Sequence, residues 1–211
     1  MSASILKISP LETFELITDP EYSFASFQKL SPVKAGTSSL ALPQLRITGH
    51  RFFDEIVLNT TSQAFSYNHK PLLFYFYEED WGGVAHGHLR QLNNARQELY
   101  ANNINLLVVT ARSLDSLLEL SRKGEWFIEV FEDADNEIAK MLNLYSEQSP
   151  TWNSYSGIEN NIALPALYLL GNSRQIVLDF ANENIEHVLP LESVIPVVQG
   201  NNAYWENKKS A

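Results

Sequence analysis

The hydrophobic positions change rhythm along the chain, and the changes mark out elements. "PLLFYFY" (71–77) is an unbroken apolar run, the pattern of a strand buried on both faces. "VAHGHLRQLNNARQELYANN" (84–103) places Leu89, Leu92, Ala95, Leu99 and Tyr100 at helical spacing. "INLLVVTA" (104–111) is a second buried-strand run. "SLDSLLELSRKG" (113–124) predicts a helix that Ser113 caps and Gly124 ends. "WFIEVFED" (126–133) predicts a strand, and "DNEIAKMLNLY" (135–145) a short helix capped by Asp135. The alternation implies a parallel sheet with right-handed crossovers.

The rhythm then breaks. "PALYLLG" and "RQIVLDF" are two apolar runs joined by the turn-rich "GNSR", which predicts an antiparallel hairpin. "LESVIPVVQ" predicts a last helix that Pro196 limits or kinks. Upstream, "DEIVLN" and "QAFSYN" have the look of short strands. Residues 1–45 mix a strand-like "TFELIT" with the Ser-, Pro- and Gly-rich "SPVKAGTSSLALPQL". Apolar residues in that stretch (Leu11, Phe14, Leu16, Phe24, Phe27) predict an arm that packs on the main domain. The expected organisation is an arm over 1–45, an α/β domain over 46–200 with a central mixed sheet flanked by helices, and a polar tail over 201–211.

Composition narrows the chemistry. The chain has 211 residues, no cysteine and a net charge of −10. Such an acidic chain is repelled by nucleic-acid phosphates and anionic lipid, so neither is an expected partner. Its apolar runs are too short to span a bilayer. The first residues lack a basic region followed by an apolar one, so a cytoplasmic location is expected. Without cysteine there is no disulfide, no thiolate ligand and no thiol mechanism.

One stretch has the form of a site. "EEDWGGVAHGHL" (78–89) joins the first buried strand to its helix. "LLFYFYEEDWGGVAHGHLRQL", the strand–helix–strand–helix order through "NINLLVVTARSLDSLLELSRKGEWFIEVFEDADNEIAKMLNLY", and "LPALYLLGNSRQIVLDF" together resemble the thioredoxin-like superfamily. Within it they resemble the peroxiredoxins, the alkyl hydroperoxide reductase and thiol-specific antioxidant family. The resemblance spans roughly residues 45–198 and implies a thioredoxin-like fold. It puts Leu164–Pro165 where that fold places a cis-proline.

The family's chemistry does not carry over with the pattern. Where thioredoxins have Trp-Cys-Gly-Pro-Cys, this chain reads Trp81-Gly82-Gly83-Val84-Ala85. The peroxiredoxin pattern is a Pro, a Thr four residues on and the peroxidatic Cys three further. Its slots hold Glu78, Gly82 and Ala85 here. No residue matches the family's assisting Arg; Arg174 falls in the hairpin turn instead. A methyl group or a hydrogen has no lone pair with which to attack a peroxide. An antioxidant or oxidoreductase role would therefore rest on resemblance alone.

Three readings remain open. The first is a redox-inactive peroxiredoxin-like protein, a binding or interaction module. Its vestigial groove would be formed by Trp81, Val84, His86, the aromatic loop 146–163 with Trp152 and Tyr155, and Pro165. A small ligand or anion at the helix N-terminus near Val84 is the expected guest, and no cofactor is. The second is a non-thiol, metal-dependent enzyme using His86 or His88, with Glu78, Glu79, Asp80 and His69 near in sequence. Against it, residues i and i+2 of a helix point about 200° apart and share no face. The third is a structural subunit, pairing with itself as a homodimer, with an active paralogue or with another protein partner.

Overall fold

The structure, a computed structural model, describes residues 29–36, 70–113, 128–172, 175–181 and 188–200. Several expected features lie outside them: most of the arm, the strands in "TFELIT", "DEIVLN" and "QAFSYN", the 114–124 part of the second helix, His69, Arg174 and the tail.

Among the described residues five strands form one sheet: β1 (Leu72–Phe76), β2 (Asn105–Thr110), β3 (Glu129–Glu132), β4 (Ala166–Leu170) and β5 (Ile176–Ala181). Their spatial order is β3-β2-β1-β4-β5. β1, β2 and β3 run parallel, while β4 and β5 run antiparallel to their neighbours. This is the mixed α/β sheet that the change of rhythm after residue 145 predicts. β1 lies at its centre, between Leu106–Val109 on one side and Ala166–Leu170 on the other, and all five of its residues are buried. That double burial is why its sequence is continuously apolar rather than alternating.

Successive β1 side chains serve opposite layers. On one face Tyr75 meets α1 (Gly83–Ala101), its hydroxyl 2.9 Å from His88 Nδ1. On the other, Phe74 stacks on Tyr168 with ring centroids 5.5 Å apart. The Tyr168 hydroxyl donates to the Val33 carbonyl at 3.1 Å. Residues 29–36 are held there by more than this bond. Lys34 Nζ and the Ala35 N–H both reach the Asp179 carboxylate, at 2.9 and 2.7 Å, and the Val33 N–H donates to the Leu142 carbonyl at 3.0 Å.

α1 ends at Ala101, two residues before the expected stretch does. Asn102 N–H bonds back to the last turn, and Asn103 adopts φ 58°, the left-handed conformation that asparagine tolerates at helix ends. The second described α-helix, α2 (Glu137–Met141), is shorter than expected. Its expected cap, Asp135, does not act. Asn136 precedes the helix with φ 54° and no side-chain cap bond, and Asp133 performs the capping from β3's end. The Asp133 carboxylate accepts from the N–H groups of Ile138 (3.1 and 3.2 Å) and Ala139 (3.1 Å). The hairpin carries a bulge: Leu169 pairs with Leu178 and Leu170 with Ile176, so Val177 is unmatched. A 3-10 turn, Leu191–Ser193, leads into α3 over 194–200. Pro196 sits in the first turn of α3, where no helical N–H is lost, so it does not interrupt the helix. Among the described residues no helix is long and apolar enough to cross a membrane.

Candidate functional site

The parallel strands β1 and β2 deliver their C-terminal ends to the same edge, where sheets of this kind place their sites. Glu78 lies two residues beyond β1. A 3-10 turn, Glu79–Trp81, follows, and Gly82 turns the chain into α1. Gly82 has φ 57° and ψ −131°, a backbone state that L side chains rarely adopt. The slot that the resemblance assigns to threonine thus holds glycine for a backbone reason, since a β-branched residue resists this conformation.

The slot that the resemblance assigns to the reactive cysteine is closed as well as empty. Ala85 is 0% exposed. Trp81 lies buried beside it, its indole N–H donating to the Ala163 carbonyl at 2.9 Å and its ring meeting Tyr155 edge-on at 5.1 Å. Trp81, Tyr155 and the segment just before Pro165 therefore come together, and what they build is packed. Pro165 is itself buried. No peptide bond among the described residues is cis, so Leu164–Pro165 departs from the isomer expected at that position. Trp152 stands apart from the buried group at 48% exposed. The loop that carries it is tied down by Thr151 and Asn161. Thr151 Oγ1 accepts from the Ile162 N–H at 3.0 Å and donates to the Ile162 carbonyl at 3.1 Å. Asn161 accepts from the Thr151 N–H at 3.1 Å and donates to the Ser146 carbonyl at 3.0 Å.

The two histidines diverge, as their spacing requires. His88 is buried against Tyr75. His86 turns back to the start of α1, its Nδ1 donating to the Gly82 carbonyl at 2.8 Å, and its ring meets Tyr77 edge-on at 6.3 Å. Among the described residues no three histidine, aspartate or glutamate side chains are placed to hold a metal ion.

Glu78 is the unusual group of the site. It is 4% exposed, and its Oε1 accepts from the Ala111 N–H at 2.9 Å, tying the end of β1 to the end of β2. Burial raises its carboxyl to about 7; the Ala111 bond and Arg112 oppose that rise, and Asp80 and Asp133 add to it. Arg112 in turn clasps the loop, 2.9 Å from Asp80 Oδ1 and 3.5 Å from Glu79 Oε2. Tyr77, one residue earlier, is fully buried, and its hydroxyl finds no hydrogen-bond partner among the described residues. Burial also raises its phenol, so it stays protonated. Sequence reasoning missed Tyr77, Arg112, Asp133, Thr151 and Asn161. "FED" ending a strand before a short helix was a usable signal for Asp133. The others carry no local signal, because the groups they contact are distant in sequence or on other elements.

The AhpC/TSA family model matches residues 53–178. No curated protein matches the chain. Among solved structures, the reduced 2-Cys peroxiredoxin of Plasmodium vivax is similar at 17% identity and TM-score 0.53, over 65% of this chain and 68% of that one. The bacterioferritin comigratory protein of Xanthomonas campestris is similar at 16% identity and TM-score 0.53, over 66% and 85%. Thioredoxin peroxidase I of Plasmodium yoelii is similar at 17% identity and TM-score 0.53, over 66% and 76%. These likenesses speak for the fold, and the family match covers more than half of the sequence. The chain is a cysteine-less member of the AhpC/TSA family, with the thioredoxin-like fold of the peroxiredoxins.

Proposed function

We propose that this chain is a redox-inactive member of its family, a binding module that holds a small anion or carboxylate at the N-terminus of α1. One juxtaposition carries the reading: a helix start with no side-chain cap packs against the ring of a tyrosine whose buried hydroxyl has no partner among the described residues. The N-cap residue is glycine and makes no side-chain cap bond. The first N–H groups of the helix have no intrahelical acceptor, and the helix dipole favours negative charge there. The Tyr77 ring packs edge-on against His86 of the first turn, and among the described residues its hydroxyl has no partner. Gly82, Val84 and His86 are half-buried and Gly83 is exposed, which leaves the helix start accessible while Ala85 is not. Glu79 and Asp80 would repel an anion, but Arg112 clasps both.

The test is a nuclear magnetic resonance titration of the full chain with sodium acetate and with inorganic phosphate, against sodium chloride at matched ionic strength. The reading predicts saturable shifts centred on the amides of Gly83, Val84 and Ala85, weakened in Tyr77→Phe. Shifts that track ionic strength alone, or that leave these amides unmoved, would refute it.

A further inference from the structure

A second recess lies elsewhere, between the C-terminal half of α1 and the segment that ends in α3. It encloses about 480 Å³ and is lined by Ala95, Glu98 and Leu99 from one side and Leu191, Glu192, Ile195 and Pro196 from the other. That volume is in the range of small-molecule sites. The floor is aliphatic. Leu99 is buried, while Ala95, Leu191 and Ile195 remain partly open to solvent, so the two helical segments meet without closing over them.

The two polar lining residues have the same charge. Glu98 and Glu192 are both exposed, and among the described residues neither carboxylate has an ion-pair or hydrogen-bonding partner. The Glu98 backbone carbonyl accepts from Asn102 Nδ2 at 2.9 Å. Two carboxylates lining one recess give it a negative field, and a cation that enters it is attracted. An apolar body attached to the cation would cover the aliphatic side chains that the helices leave open. An anion or a neutral molecule gains no such attraction.

From this complementarity of charge and apolar floor we infer that the recess binds a small organic ammonium ion, an alkyl- or arylalkylamine. Its hydrocarbon would lie on Leu99, Leu191, Ile195 and Pro196, and its ammonium would face Glu98 and Glu192. The site is separate from the start of α1 and does not depend on the function proposed for it.

Isothermal titration of the full chain with phenethylamine tests the inference, with 2-phenylethanol and ammonium chloride as the apolar and cationic halves of the probe. Both carboxylates are exposed, so affinity on the order of millimolar is expected. The amine should bind saturably. Each half alone should bind at least about tenfold more weakly, and Glu98→Gln/Glu192→Gln should weaken the amine by about tenfold. Ile195→Asn should also weaken it, and circular dichroism of each variant checks that the fold is kept. Equal binding of amine and alcohol, or indifference of the amine to both variants, would overturn the inference. So would a dimer in light scattering that Ile195→Asn converts to a monomer.

Discussion

Replacing Glu78 with glutamine should leave stability nearly unchanged in mildly acidic solution and raise it in mildly alkaline solution. The wild-type carboxyl titrates at about 7 in the folded protein against an ordinary value of 4.5. Below 4.5 both the folded and unfolded chains hold the proton, and the full contribution of the neutral group is present. Between 4.5 and 7 the unfolded chain has released a proton that the folded chain keeps, so stability falls as pH rises. Above 7 the folded chain carries a buried charge and the loss is complete. A displacement from 4.5 to about 7 corresponds to roughly 3 kcal/mol. Glutamine keeps an Oε1 that can accept from the Ala111 N–H and never ionises. Urea unfolding of wild type and Glu78→Gln should therefore agree within about 1 kcal/mol at pH 5, while at pH 8 the variant should be more stable by roughly 2–3 kcal/mol. A difference that does not change with pH would refute the burial argument. A variant that becomes less stable as pH rises would show that Arg112 favours the charged form more than burial opposes it.

Other predictions follow from the same geometry. Asp133→Ala leaves the buried Ile138 and Ala139 N–H groups without their acceptor, and urea unfolding should show a loss of about 1–3 kcal/mol. Gly82→Thr restores the family's residue but must hold φ 57°. A Cβ there would meet no atom within 4 Å beyond its chain neighbours, so the expected loss of about 1–3 kcal/mol is conformational, and Gly82→Ala should lose nearly as much. Ala85→Cys creates a thiol at a fully buried position. Native protein should react with an aromatic disulfide reagent on the order of a hundredfold more slowly than urea-unfolded protein, and equal rates would contradict the closed slot.

Much of the sheet was legible because burial on both faces writes itself as continuous apolar sequence. "LLFYF" and "LLVV" could only be central strands, and the turn residues between "ALYLL" and "IVLDF" fixed the hairpin. The bulge at Val177 was not legible, since nothing in "QIVLDF" distinguishes a matched strand from one with an extra residue. Helix caps failed in the same way. "EDADNE" offers several acidic or amide side chains, and the choice of Asp133 over Asp135 depends on where β3 stops. At the site, the loss of the thiol was readable directly from residue identity. The closure of the slot was not, because it depends on Trp81 reaching Ala163 and Tyr155, more than seventy residues away. The behaviour of Glu78 was hidden for the same reason: "YEED" reads as a solvated acidic turn until Ala111 is placed against it.

The central claim is that the peroxiredoxin fold persists here without peroxiredoxin chemistry, and peroxide consumption by the purified chain tests it most directly. Loss of hydrogen peroxide and of cumene hydroperoxide would be followed with dithiothreitol as reductant, with and without protein. Because the 211 residues contain no cysteine, the rate with protein should equal the reductant's own background at every protein concentration. A saturable rate proportional to protein, surviving treatment with a chelator, would contradict the account.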